Sequence, residues 1–193
     1  MLVLDGFGGT DGTTNGLGNL IVGYDESIGS EDKTGSHNLV VGPYHTYSSY
    51  GGLVAGWNSN VTGVAASVSG GQNNTASGEE ASVSGGNNNT ASGLRSSVSG
   101  GQANTAPGDY SSVSGGYENT ASGVESSVSG GKTNTASGSR TSVSGGGLNT
   151  ASDDRSSVSG GYNSTASGAL SSVSGGRGHT ASGLYSSVSG GNT

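Results

Sequence analysis

The sequence predicts an all-β protein: a single-stranded parallel β-solenoid, or β-roll, with two short strands in each 14–15-residue coil. Three observations carry that expectation. From Ser67 onward one 15-residue unit recurs without a break, a period too short for helix-turn-helix repeats. Glycine, 41 of 193 residues, recurs at fixed places in the unit, where it would break helices. The β-branched residues fall in short runs, Ser-Val-Ser and Asn-Thr-Ala-Ser, each closed by glycine. Only 28% of residues are hydrophobic and 10% charged, against roughly 45–50% and about 25% in ordinary globular domains. That composition excludes a core of Leu, Ile and Phe, and alone it would suit a flexible linker. A linker has no reason to hold a valine and an alanine in strict phase over eight copies, so an ordered fold is expected.

Residues 1–19 are read as a lead-in or cap, and 20–66 as degenerate coils. Leu20-Ile21-Val22-Gly23, Leu39-Val40-Val41-Gly42 and Leu53-Val54-Ala55-Gly56 are their strand-and-corner runs, with steps of 19 and then 14 residues. The excess in the first step is assigned to an acidic surface loop over 24–37. With Trp57, Tyr44, Tyr47 and Tyr50, these coils are expected to be the best-cored part, acting as nucleus and cap.

Residues 67–193 are the regular coils, eight complete and a ninth cut short. Val68, Val83, Val98, Val113, Val128, Val143, Val158, Val173 and Val188 mark the nine starts. Strand alternation turns each valine inward between two outward serines, and turns Ala76, Ala91 and Ala106 inward between Thr and Ser. Glycine supplies the positive φ that the corners need. Stacked coils then align Asn74, Asn89 and Asn104 in an inward ladder that satisfies corner carbonyls, interrupted by Ser164 and His179. One valine and one alanine per coil make a thin interior, so self-association is expected to add burial. Ending mid-unit at Ser189-Gly190-Gly191-Asn192-Thr193, the chain reads as a piece of something longer.

The unit Ser-Val-Ser-Gly-Gly-x-x-Asn-Thr-Ala-Ser-Gly resembles the head repeat of trimeric autotransporter adhesins, Ser-Val-Ala-Ile-Gly-x-x-Ser-x-Ala-x-Gly. Ser67, Val68, Gly71, Ala76 and Gly78 match, and the resemblance spans about residues 19–193. It implies a left-handed β-roll, a homotrimer packed side by side, an extracellular place on a bacterial surface, and adhesion to matrix, glycan or cell-surface ligands. Two departures stand out. Gly70 replaces the family's Ile, and the period is 15, with the extra residue assigned to the Gly-x-x-Ser corner. No heptad stalk or membrane barrel follows, which fits an excised head or a related roll in another fibre, such as a phage tail spike.

A net charge of −7 argues against nucleic acid and anionic membranes as partners. The longest apolar runs are too short to cross a membrane, and Met1-Leu2-Val3-Leu4-Asp5 lacks the basic start of a signal peptide. Without cysteine there is no disulfide framework or thiolate metal site, and no cofactor is expected. Enzymatic activity is not expected either. His37, His45 and His179 are scattered, no Gly-x-Ser-x-Gly elbow occurs, and Gly131-Lys132-Thr133 lacks the earlier glycine of a phosphate-binding loop.

Candidate sites are of three kinds. Asp25, Glu26, Glu31 and Asp32, with Asp5 and Asp11 upstream, are candidate calcium ligands, although the spacing fits no EF-hand and a solvated acidic loop is the plainer reading. Two variable columns should stand on exposed corners. One carries Glu80, Arg95, Tyr110, Glu125, Arg140, Arg155, Leu170 and Tyr185; the other carries Gln72, Asn87, Gln102, Tyr117, Lys132, Gly147, Tyr162 and Arg177. Tyr, Arg and Lys there suit recognition of proteins or glycans, against the alternative of drift at corners with no structural duty. Finally, outward Thr75 and Ser77, repeated coil after coil, resemble the hydroxyl grid of ice-binding solenoids.

Overall fold

The structure, a computed structural model, describes residues 13–192. Most of the expected lead-in, with Asp5 and Asp11, lies outside the described residues. The chain winds as a parallel β-solenoid of about 11 turns, with no helix among the described residues. Its first strands are β1 (Leu20–Val22), β2 (Leu39–Val41), β3 (Thr46–Tyr47), β4 (Leu53–Ala55), β5 (Asn60–Val61), β6 (Ser67–Val68) and β7 (Thr75–Ala76). Ser-Val and Thr-Ala strands then alternate as far as Ser187–Val188. They form two parallel sheets, one of 12 strands containing the Ser-Val series and one of 10 containing the Thr-Ala series.

Pairing is in register from coil to coil, Val68 on Val83 and Thr75 on Thr90. Identical units leave each side chain beside its own copy, which aligns the valine and alanine ladders down the interior. Val68 through Val173 and Ala76 through Ala181 are buried, and Val188 packs against them from the last coil. A third interior column is made of Ala66, Ala81, Ser96, Ser111, Ser126, Thr141, Ser156 and Ser171. These residues precede the core valines by two positions and so share their face.

The register corrects one expectation. Val54 pairs with Val68 and Val61 with Ala76, while Trp57 bridges to Gln72. Trp57 stands three positions after Val54, and Gln72 four positions after Val68. The fifteenth residue therefore lies in the Gly-Gly corner, and not in the Gly-x-x-Ser corner. A Cβ on Gly71 (φ +82°) would collide with the carbonyl of Gly86, whereas a Cβ on Gly85, Gly100 or Gly115 would meet nothing within 4 Å. Gly71 turns the chain; the glycine before it is the inserted residue, pushed out into open space.

The other corner needs glycine for a different reason. A Cβ on Gly78 would strike the carbonyl of Gly93 in the next coil. Two residues later Glu80 takes φ 54°, and at the opposite edge Asn73 takes φ 55°. This conformation sends their N–H groups back to the preceding coil, Glu80 to Val64 O and Asn73 to Trp57 O, while Ser67 and Thr75 donate forward to Ala81 O and Asn89 O.

In the N-terminal region Val40, His45, Tyr47, Val54 and Val61 are buried, but all three residues of β1 are exposed. Within 24–37 the chain returns to the solenoid before His37. Tyr47 N–H donates to Asp32 O, Gly35 N–H donates to Tyr47 O, and Ser36 bridges to Tyr50.

Candidate functional site

The two corners run the length of the rod as parallel edges. Every residue of the Glu80 column, namely Glu80, Arg95, Tyr110, Glu125, Arg140, Arg155, Leu170 and Tyr185, has φ between 54° and 58° and is exposed. That region disfavours any residue with a Cβ, by about 1–2 kcal/mol. Glycine would occupy it freely, and in a chain so rich in glycine none stands there. Successive side chains touch along the edge. Arg95 Nε donates to Glu80 Oε2 at 2.7 Å and its guanidinium lies 5.9 Å from the Tyr110 ring centre. Arg140 reaches Glu125 at 3.0 Å, and Arg155 lies 3.7 Å from Asp154. The hydrogen bond and charge of Arg95 hold the Glu80 carboxyl below its usual range.

The opposite edge carries the Gln72 column, whose members bridge from coil to coil as a third ladder. Lys132 Nζ lies 5.3 Å from the Tyr117 ring centre, and the Arg177 guanidinium 5.5 Å from that of Tyr162. A hydrogen bond to Glu118 raises the Tyr117 hydroxyl above its ordinary pKa. At this edge the left-handed positions are Asn58, Asn73, Asn88, Ala103, Glu118, Thr133, Leu148, Asn163 and Gly178. The sequence does not single these residues out, since only the structure shows that their backbone is left-handed. Gly131-Lys132-Thr133 is an ordinary corner of this edge: Lys132 bridges to Tyr117 and Gly147.

The asparagine ladder fixes the Gln72 edge from within. Asn104 Nδ2 donates to Gly100 O and Gly116 O, while its Oδ1 accepts the N–H of Asn119. The same bonds repeat from Asn89 to Asn149. His45 belongs to this column too. Its Nε2 faces Val41 O at 3.1 Å and its Nδ1 accepts the Ser59 N–H, so the imidazole reproduces the donor and acceptor of asparagine. Sequence spacing hides it, because the shorter corner shifts the ladder by one residue. Desolvation in the interior lowers the His45 pKa. His179 continues the column at the other end, where its Nε2 is buried without a partner.

The acidic loop does not gather its carboxylates. Asp25 binds Lys33 at 2.8 Å and the Tyr47 hydroxyl at 3.0 Å. Glu31 accepts the Ser27 hydroxyl and the N–H groups of Ile28, Gly29 and Ser30. Those bonds, led by Ser27, bring its pKa down to about 2. Asp32 accepts from Thr34 N–H and Oγ1. Among the described residues no three Asp, Glu or His side chains converge as metal ligands.

No protein-family model matches this chain, and no curated protein matches it.

Proposed function

We propose that this chain is a segment of an extracellular attachment fibre on a bacterial surface, without enzymatic activity, whose two edges display side chains for recognition of matrix, glycan or cell-surface ligands. The observation that carries this reading is the Glu80 column. Charged, aromatic and aliphatic residues occupy eight consecutive left-handed positions where glycine would be unstrained. Strain retained at exposed positions of a rigid scaffold favours a role for the side chains themselves. Side-by-side trimerisation, as in the adhesin heads the repeat resembles, is part of the proposal. It draws support from Leu20, Val22 and Leu39, exposed apolar residues on one sheet at the N-terminal end.

The test uses a variant in which the whole column, from Glu80 to Tyr185, is glycine. Relief of the left-handed strain offsets the backbone entropy of glycine, roughly 0.5–1 kcal/mol each, so the rod still folds. Wild-type chain is expected to bind immobilised matrix proteins or glycans, and the glycine variant to lose that binding while its light-scattering mass stays near three times 18.4 kDa. Equal binding by the two would overturn the display role of the Glu80 edge, and a folded 18.4 kDa species would overturn the trimer.

A second reading rests on the ten-stranded sheet, where Thr75, Thr90 and Thr105 stack in register beside exposed Ser77 and Ser92. A regular hydroxyl array of this kind suits an ice surface. Thermal hysteresis by the monomeric chain, lost on Thr-to-Tyr substitution along the column, would favour it; its absence rules it out.

A further inference from the structure

The Gln72 edge is interrupted once. Gly147 stands where the neighbouring coils carry Lys132 and Tyr162, and the bridge ladder continues through it, with its N–H donating to Gly161 O at 3.0 Å. Its φ is not in the left-handed region, so the turn does not require glycine here. A Cβ would first meet the Tyr162 ring, 3.3 Å from Cδ2 and 3.6 Å from Cε2. The missing side chain leaves a notch of about 320 Å³ lined by Lys132, Thr133, Gly147, Leu148 and Tyr162.

The walls are chemically distinct. Tyr162 has the Arg177 guanidinium over its ring and sets its own ring edge close to Gly147. Leu148, held at φ 57°, adds an exposed apolar surface. Lys132 supplies an ammonium with no carboxylate partner among the described residues, whereas Lys33, Arg95, Arg140 and Arg155 each have one. The Glu118 carboxylate of the adjacent coil accepts the Thr133 hydroxyl at 3.4 Å. Lys132 and Tyr162 are two coils apart, about 9.5 Å of backbone, which admits one ring-sized layer between them.

We propose that this notch binds a carboxylated pyranose, a uronic-acid unit of an acidic polysaccharide. The C–H face of the sugar lies on Tyr162, its edge meets Leu148, and its carboxylate pairs with Lys132 Nζ. A ring face on one side of the layer and an ammonium on the other suit an apolar sugar face and an anion; Lys132 Nζ rests over the Tyr117 ring and has no carboxylate partner among the described residues, which in a chain of net charge −7 favours an acidic sugar over a neutral one. The inference rests on reading the edges as recognition surfaces and assigns a ligand class to one point on them.

The experiment is an amide-shift titration of the full chain with a tetrasaccharide of alternating glucuronic acid and N-acetylglucosamine, compared with its carboxyl-reduced form. Saturable shifts are expected at Thr133, Gly147, Leu148 and Tyr162, with affinity falling about tenfold for the reduced sugar, as for loss of one charged contact. Gly147→Gln should fill the notch and abolish the shifts. Lys132→Gln and Tyr162→Asn should weaken them about tenfold each. Gln and Asn already occupy this column at Gln72, Gln102 and Asn87, so the three variants keep the fold. No saturable shift, equal affinity for the reduced sugar, or undiminished binding by Gly147→Gln overturns the proposal. Shifts confined to the Glu80 edge overturn it while leaving the display reading intact; undiminished surface binding by the all-glycine variant removes display by the Glu80 edge and leaves this notch, on the other edge, unaffected.

Discussion

Replacing Ser96, Ser111, Ser126 or Ser171 by alanine should stabilise the protein. Each Oγ is buried against the interior with no hydrogen-bond partner. An unsatisfied buried hydroxyl costs about 1–3 kcal/mol of desolvation, of which the small void left by alanine returns a part. Alanine also fits the column already, at Ala66 and Ala81, both fully buried. We expect a gain of about 1 kcal/mol per site, or about 2–4 °C in melting temperature for a chain of this size. Thr141 in the same column behaves oppositely. Its Oγ1 donates to Gly138 O at 2.8 Å, so Thr141→Ala should lose about 1 kcal/mol. The assay is thermal unfolding followed by circular dichroism, with amide exchange at Val98 and Val113 reporting the altered coils directly. A fall in stability for the serine variants matching that of Thr141→Ala would refute the reasoning, because it would mean that the serine hydroxyls bond a corner carbonyl as Thr141 does.

Three further outcomes follow from the interior and the loop. Asn104→Ala strands the carbonyl of Gly100 and the N–H of Asn119 and leaves Gly116 O with the Gln102 N–H alone; denaturant unfolding should show a loss of about 3 kcal/mol, and Asn104→Ser, which puts in this column the residue found at Ser59 and Ser164, a smaller one. His45 is neutral in the fold and has a lowered pKa, so its contribution is complete above the unfolded value of 6.5 and declines as pH falls below it. His45→Asn, which restores the ladder chemistry without a titrating group, should flatten stability between pH 7 and pH 5; an unchanged slope would remove His45 as its source. Glu31 should titrate near pH 2 by carboxyl-carbon NMR, with the bonds it makes to residues 27–30 present above pH 4.5 and lost as pH falls through 2; a midpoint near 4.5 would show that the loop does not hold it.

Most of the solenoid was legible because its period is exact enough to place Val68, Ala76 and Asn74 on one interior from phase alone. What stayed hidden depended on register between unlike coils. The position of the fifteenth residue follows from Trp57 lying beside Gln72, and no single unit contains that information. His45 escaped notice for the same reason, being five residues after Val40 where Asn74 is six after Val68. The serine column was readable in principle, since Ser96 shares a strand face with Val98, but serine chemistry suggests the surface. Exposure of the variable columns followed from their place beside glycine. Their left-handed backbone, and the notch at Gly147, required coordinates.

Near-identical coils create a problem of identity. Interior ladders of Val, Ala and Asn accept any coil as the neighbour of any other, so pairing that skips a unit would satisfy the backbone almost as well as the correct one. The edge contacts distinguish them. Glu80 meets Arg95 and Glu125 meets Arg140 only when no coil is looped out, and Lys132 reaches Tyr117, and Arg177 reaches Tyr162, on the same condition. Along an otherwise uniform rod the variable side chains act as serial numbers, telling each turn which turn precedes it.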